Sequence, residues 1–373
     1  MDCDLIALAA AGVRGLRPYQ PGKPIEELER ELGIRDPVKL ASNENPLGPS
    51  PAAVQAMQGA LGGVSRYPDG NGHALKRALA RRLGVGPECI TLGNGSNDIL
   101  ELVARAFLGP GREAVISAHA FAVYPIVIQA VGAEARVARP NAPDHAMPYG
   151  HDLQAMAGQV GEHTRVVFVA NPNNPTGTWL QRQALQAFLE ALPETTLCVI
   201  DEAYLEYVQE PAYPDALTWL GEHPGLIVTR TFSKIYGLAG VRVGYGISHP
   251  QVAELLNRVR QPFNCNSLAQ TAALAALDDE DHLRRSRELN AAGLAQLTRA
   301  CEERGLGHIP SVANFLCIDL ARPAVPVYEA LLREGVIVRP VDNYALPNHL
   351  RVSVGTPEQN ARLIQALDRV LGT

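Results

Sequence analysis

No stretch of this 373-residue chain approaches the ~18 consecutive apolar residues that a membrane-crossing helix requires, so helical membrane spans are excluded from the expected architecture. A basic excess is missing as well. The 33 Lys and Arg stand against 39 Asp and Glu, a formal charge of −6. Proteins that grip nucleic acid or anionic membranes normally carry the opposite balance, so neither is an expected partner and a small-molecule substrate is. The six cysteines, Cys3, Cys89, Cys198, Cys265, Cys301 and Cys317, form no CxxC pair. That spacing supports neither a zinc ribbon nor a disulfide framework; no metal is expected, and free thiols in a reducing compartment fit best. Internal repeats and low-complexity tracts are absent. So is a GxGxxG turn with an acidic residue ~20 positions later, which disfavours a nicotinamide-dependent dehydrogenase. The opening MDCDLIALAAAGVRGLRPYQ puts Asp2 and Asp4 before its apolar segment and Arg14 and Arg17 after it. A secretion signal has the reverse order, and a cytoplasmic location is expected.

What remains is an ordinary globular composition, 46% apolar and 19% charged, in a chain long enough for two domains. From about Asn97 the pattern alternates between helix-length amphipathic segments (NDILELVARAFL, YPIVIQAVG, RQALQAFLEAL) and short apolar runs (EAVISA, ARVAR, RVVFVAN, TLCVID, GLIVTRTF). This alternation predicts βαβ units around a buried, mostly parallel sheet. Proline-free SLAQTAALAALDDEDHLRRSRELNAAGLAQLTRACEERG predicts one or two long helices. NFLCIDL, VIVRPV and HLRVSVG, interleaved with VPVYEALLREG and TPEQNARLIQALDRVLG, predict a small α+β unit. The expected division is an N-terminal arm with part of the small domain at 1–40, a large α/β domain at 41–260, and a small C-terminal domain at 261–373.

Three predicted strands end in unusual polar residues: VVFVANPNNPTG, LCVIDEAY and VTRTFSK. Ligands of open parallel sheets bind at the carboxyl ends of the strands, so Asn174, Asp201 and Lys234 should converge in one crevice. Taken singly, each has a plainer reading as a turn residue, a cap or a solvent-facing lysine. The joint occurrence, together with LGNGSNDIL, points further. There a glycine-rich turn opens a helix at Ser96, a natural place for a phosphate to meet free backbone amides. Ser233 and Arg242 would add a hydroxyl and a cation. A lysine amine, a carboxylate and a phosphate site suit pyridoxal 5′-phosphate (PLP). The amine bonds the aldehyde, and a carboxylate at the pyridine nitrogen makes the ring an electron sink. Asp201 fits that position, Asn174 and Tyr204 could hydrogen-bond the ring oxygen, and Phe121 or Tyr124 could cover the ring. A PLP-sensing regulator would need an added basic helix-turn-helix domain, for which the chain has no room.

NPNNPTG, DEAYLEY and TFSKIYGLAGVRVGY together resemble the fold type I PLP-dependent aminotransferases: a large domain with a mostly parallel central sheet and a smaller α+β domain. LRPYQPGKP, ASNENPLGPSP, RYPDG and HLRVSVGTPEQN resemble the histidinol-phosphate aminotransferase branch, over nearly the whole chain. The resemblance implies that Lys234 carries the cofactor, that Asp201 pairs with its ring nitrogen, and that Tyr204 and Asn174 contact its 3′-oxygen. It puts Phe121 on the ring face and the phosphate at Ser96, Asn97, Ser233 and Arg242. Tyr67 would reach in from a second subunit of a homodimer. Tyr19, Asn43, Arg339 and Arg351 match the substrate side. The implied reaction transfers an amino group from L-histidinol phosphate to 2-oxoglutarate, in histidine biosynthesis; an aromatic amino-acid aminotransferase and a phosphothreonine decarboxylase are the rivals. Phe121 stands where the family commonly has Tyr, and His119-Ala120 replace the usual proline before it.

Overall fold

Seven short strands between Ile90 and Ser248 pair into one sheet in the computed structural model, which describes residues 4–372. They are β2 (Ile90–Gly93), β3 (Glu113–Ser117), β4 (Glu134–Ala138), β5 (Thr164–Ala170), β6 (Leu197–Asp201), β7 (Leu226–Thr231) and β8 (Gly244–Ser248), in the order β2-β8-β7-β6-β5-β3-β4. β8 runs antiparallel to both its neighbours and the remaining pairs are parallel. Alternate residues face opposite sides, as the pleat requires. Val167 and Val169 pack with Leu185, Leu189 and Leu79, whereas Val166 and Phe168 pack with Ile99, Val103, Tyr124 and Leu256. Helices therefore cover both faces, which is why the strands read as unbroken apolar runs. Each fully buried Val, Leu or Ile contributes about 1.5–3 kcal/mol relative to exposure, and these two layers hold the sheet rigid beneath the site.

A second sheet has the order β12-β13-β10-β9 and is antiparallel: β9 (Gly307–Ile309), β10 (Phe315–Asp319), β12 (Arg339–Val341) and β13 (Leu346–Ser353). Leu316, Ile318, Leu350 and Val352 pack against Leu331, Leu363 and Leu367 of the covering helices. The last of those, Pro357–Leu371, starts at a reciprocal cap between Thr356 and Gln359. A third, two-stranded pairing joins β1 (Val38–Lys39) in parallel to β11 (Val336–Ile337), tying the N-terminal segment to the smaller unit.

The expected long-helix region resolves into Ser267–Leu277, capped by Asn266, and Glu280–Glu303, capped by Asp279. The first lies beyond residue 260 yet packs Ala269, Ala272, Ala273 and Ala276 into the core of the large sheet. The second runs from that core, at Leu283, to the smaller one, at Leu297 and Cys301. VIVRPV, expected as one strand, is divided: Val336–Ile337 pairs with β1 and Arg339–Val341 with β13. A continuous apolar run carries no signal of which sheet each half joins. β2 and β8 were not among the expected strands. In GYGIS the glycines weaken the strand pattern, and packing explains them. A Cβ at Gly244 would lie 2.4 Å from the Ser96 nitrogen, and one at Gly246 would lie 2.8 Å from Ile99. The helix Ser96–Phe107 can thus rest directly on the strand. Among the described residues no helix is long and apolar enough to cross a membrane, and no cluster of metal-ligating side chains occurs.

Candidate active site

The chain leaves β7 at Thr231 and turns sharply. Gly237 N–H donates to the Lys234 carbonyl at 2.9 Å, and Leu238 N–H donates to the Phe232 carbonyl at 3.0 Å. Gly237 has φ +67°, and a Cβ there would strike the Gly48 carbonyl oxygen at 2.1 Å, so only glycine closes this turn. Phe232 and Ile235 are buried on either side, which aims Lys234 into a cavity of about 260 Å³. Its Nζ donates to the Ser42 carbonyl at 3.2 Å and lies 5.6 Å from the centre of the Tyr204 ring. Among the described residues no carboxylate forms an ion pair with it. Burial first, then the cations of Arg351 and Arg242, bring its pKa from 10.5 to about 7, against the opposing pull of Glu44 and Asp201. The lysine is half-buried and points into the cavity rather than out into open solvent.

Asp201 ends β6 in the same cavity. Its Oδ2 accepts from the Tyr124 hydroxyl at 2.9 Å and its Oδ1 from the Thr229 hydroxyl at 3.0 Å. Burial raises its pKa, while these donors, the Ala203 amide and Lys234 pull the other way. Tyr124 is fully buried, stacked on Phe168 with ring centres 5.0 Å apart. Of the two aromatics weighed from sequence as ring covers, Tyr124 instead holds the carboxylate, and Phe121 lines the cavity. Sequence reading missed Thr229 as well, since only the register Asp201↔Thr229 between β6 and β7 puts it there.

At one end of the cavity Ser96, Asn97, Ser233 and Arg242 meet. The helix that begins at Ser96 has no side-chain cap, which leaves its first amides available to an anion. Arg242 Nη1 donates to Ser233 Oγ at 3.2 Å and to the Ala239 carbonyl at 3.0 Å. Gly95 has φ +87°, and a Cβ on it would lie 2.3 Å from Arg242 Nη2. The glycine therefore makes room for the guanidinium over the helix start.

At the other end stand Tyr19, Asn43, Arg339 and Arg351. Arg351 is buried; its Nη1 donates to Asn174 Oδ1 at 2.5 Å and its Nη2 to the Ala41 carbonyl at 2.7 Å, while Nε has no partner. Arg339 donates to the carbonyls of Pro21 and Gln20, at 2.9 and 2.6 Å, holding the segment that carries Tyr19. Asn43 Nδ2 donates to the Tyr204 hydroxyl at 2.9 Å, and Ser353 Oγ accepts from Asn43 N–H and donates to Asn43 Oδ1. Burial pushes the Tyr204 hydroxyl up to about 12, so it remains protonated. Every site residue expected from sequence lines this cavity except Tyr67, which is 83% exposed and stacks on Phe263 with ring centres 4.6 Å apart.

The residues present fit the expected cofactor. A single cavity holds an amine of lowered pKa, a braced carboxylate and a cationic, uncapped helix start cleared by Gly95. Residues 35–367 match the family model described as aminotransferase class I and II. The chain is 60% identical to histidinol-phosphate aminotransferase 1 of Nitrosococcus oceani over 367 residues, 98% of this chain and 97% of that one. It is also 60% identical to histidinol-phosphate aminotransferase 2 of Pseudomonas aeruginosa over 371 residues, 99% of each. Among solved structures, histidinol-phosphate aminotransferase from Sinorhizobium meliloti in complex with pyridoxal-5′-phosphate superposes with a TM-score of 0.89 at 30% identity, covering 98% of this chain and 97% of that one. With the fold, the cavity and these likenesses in agreement, the chain belongs to the class I and II aminotransferase family, fold type I.

Proposed function

We propose that this enzyme transfers the amino group of L-histidinol phosphate to 2-oxoglutarate, giving imidazole acetol phosphate and L-glutamate, with PLP as cofactor, in histidine biosynthesis. The observation that carries the chemistry is the half-buried Lys234 amine, with its pKa near 7, in the same cavity as Asp201. The donor is supported by the 60% identical relatives, which bear that enzyme's name.

When bound, the cofactor supplies an aldehyde that joins an amine and a pyridine ring that takes up the electron pair left at the substrate α-carbon. The residues do the rest. Lys234 Nζ, neutral in part near pH 7, would hold the cofactor through that aldehyde and, when free of it, would move the proton from the α-carbon. Asp201, oriented by Tyr124 and Thr229, would pair with the ring nitrogen and favour its protonated form. Asn174 and the Tyr204 hydroxyl would hold the ring oxygen, and Phe121 would cover one ring face. Ser96 and Asn97 amides, Ser233 and Arg242 would bind the phosphate. Arg351 grips the carboxylate of one partner or the phosphate of the other, because a planar guanidinium pairs with either. Tyr19, Asn43 and Arg339 close the substrate side.

The exposed Tyr67, outside its own chain's cavity, supports a homodimer in which the partner's Tyr67 completes the phosphate site. Dilution to monomer should then remove activity, and a fully active monomer would contradict it. The reading carries with it a cytoplasmic location.

The test is the absorption spectrum of the purified protein during addition of L-histidinol phosphate, with phenylalanine in a parallel sample. Loss of the lysine-bound cofactor band at low histidinol phosphate, restored by 2-oxoglutarate, is expected. A response to phenylalanine alone would move the enzyme to aromatic amino acids, and release of carbon dioxide would make it a decarboxylase.

A further inference from the structure

Phe121 and the two substrate-side arginines lie on different units of the fold, and a residue with no role assigned from sequence bridges them. Arg339 and Arg351 are cross-strand partners in the β12–β13 hairpin, whose connection turns through Asp342–Tyr344. His119, two residues before Phe121, places Nδ1 2.6 Å from the Tyr344 carbonyl oxygen. A carbonyl only accepts, so the proton resides on Nδ1 and the ring donates. His119 is 6% exposed, and its own carbonyl accepts from Asn173 Nδ2 at 3.0 Å. Its ring meets Tyr149 edge to face at 5.7 Å, and Tyr149 meets His349 of β13 in the same way at 5.5 Å. The Tyr344 hydroxyl faces the Ala122 amide and feels the charges of Arg351 and Arg339. The hairpin is thus gripped at its tip by the 119–122 loop and along β13 by the aromatic row.

We propose that His119 is a positioning residue, whose bond to the Tyr344 carbonyl fixes Arg339 and Arg351 at a set distance from Phe121, so that anion clamp and ring cover act as one unit. The inference rests on the reading of Phe121 and Arg351 given above. Without the bond a buried carbonyl loses its partner and the hairpin tip can relax, and small displacements of a clamp are costly in binding.

The test compares His119→Ala with His119→Asn in the holoenzyme, because the Asn amide offers an N–H close to the position of Nδ1 without the ring. His119→Ala should raise KM for donor and 2-oxoglutarate about tenfold, and weaken binding of the unreactive dicarboxylate glutarate alike, with kcat changed less than about threefold. The lysine-bound cofactor band should persist, and His119→Asn should recover most of the loss. Should the Ala variant not fold, His119→Gln, whose donor is displaced by one methylene, is expected to show the same rise. Unchanged KM and glutarate affinity in His119→Ala, or an Asn variant as impaired as the Ala variant, would overturn the assignment. A wild-type protein with no cofactor band would instead remove the functional reading, and this inference with it.

Discussion

Arg351 and Asn174, 177 residues apart in the chain, share a hydrogen bond of 2.5 Å from Nη1 to Oδ1. One belongs to the small antiparallel sheet and the other to the NPNNPTG turn after β5, whose two Asn–Pro bonds, Asn171–Pro172 and Asn174–Pro175, are both cis. The proposed anion clamp and the proposed cofactor contact are therefore mechanically joined, so a change at either is felt by the other.

Arg351→Lys should lower kcat/KM by about 10²–10³ for both the amino donor and 2-oxoglutarate, since the fork, the bond to Asn174 and the bond to the Ala41 carbonyl are lost together. Steady-state kinetics with each partner varied in turn will check this. A loss confined to one partner would remove the shared clamp.

Lys234 sets a pH dependence on the cofactor-free protein. Its pKa is 10.5 in an unfolded chain and about 7 in the fold, so between those values the unfolded chain binds more protons. Stability from this group rises with pH across that window; below it both states are protonated and the burial cost is fully present. Cofactor-free Lys234→Met should melt higher than wild type near pH 7, the gap narrowing by roughly a few degrees toward pH 10. A gap independent of pH in differential scanning calorimetry would mean that the ammonium is not penalised.

Tyr124→Phe removes one of the two side-chain donors to Asp201 and leaves the ring stack intact. The Asp201 pKa should rise further, and cofactor affinity should fall about tenfold with little change in melting temperature. Equilibrium dialysis against the cofactor measures the first, and a thermal scan of the cofactor-free variant the second.

Gly95→Ala puts a methyl 2.3 Å from Arg242 Nη2 at a residue with φ +87°. Arg242 must move off the helix start, and affinity for the phosphorylated cofactor should drop more than about tenfold while binding of unphosphorylated pyridoxal changes little. Equal losses for both would locate the defect outside the phosphate site.

The sequence by itself determined the layered α/β architecture, because strands buried on both faces must read as apolar runs between amphipathic helices. It also pointed to Lys234, Asp201 and Ser96 as sharing one crevice, since Asp201 ends a strand, Lys234 follows one and Ser96 opens a helix at the edge where ligands bind. Tertiary structure alone decided the partners. Tyr124 turned from ring cover to carboxylate brace because the helix Val123–Ala130 points its hydroxyl at Asp201 across 77 residues. Strand β8 was hidden by the glycines that let a helix rest on it, and VIVRPV gave no sign that its halves join different sheets. The tie between His119 and Tyr344 spans 225 residues and ends on a backbone carbonyl. Every residue carries such a carbonyl, so side-chain identity could not announce the contact, and only the packing of the two units against each other creates it.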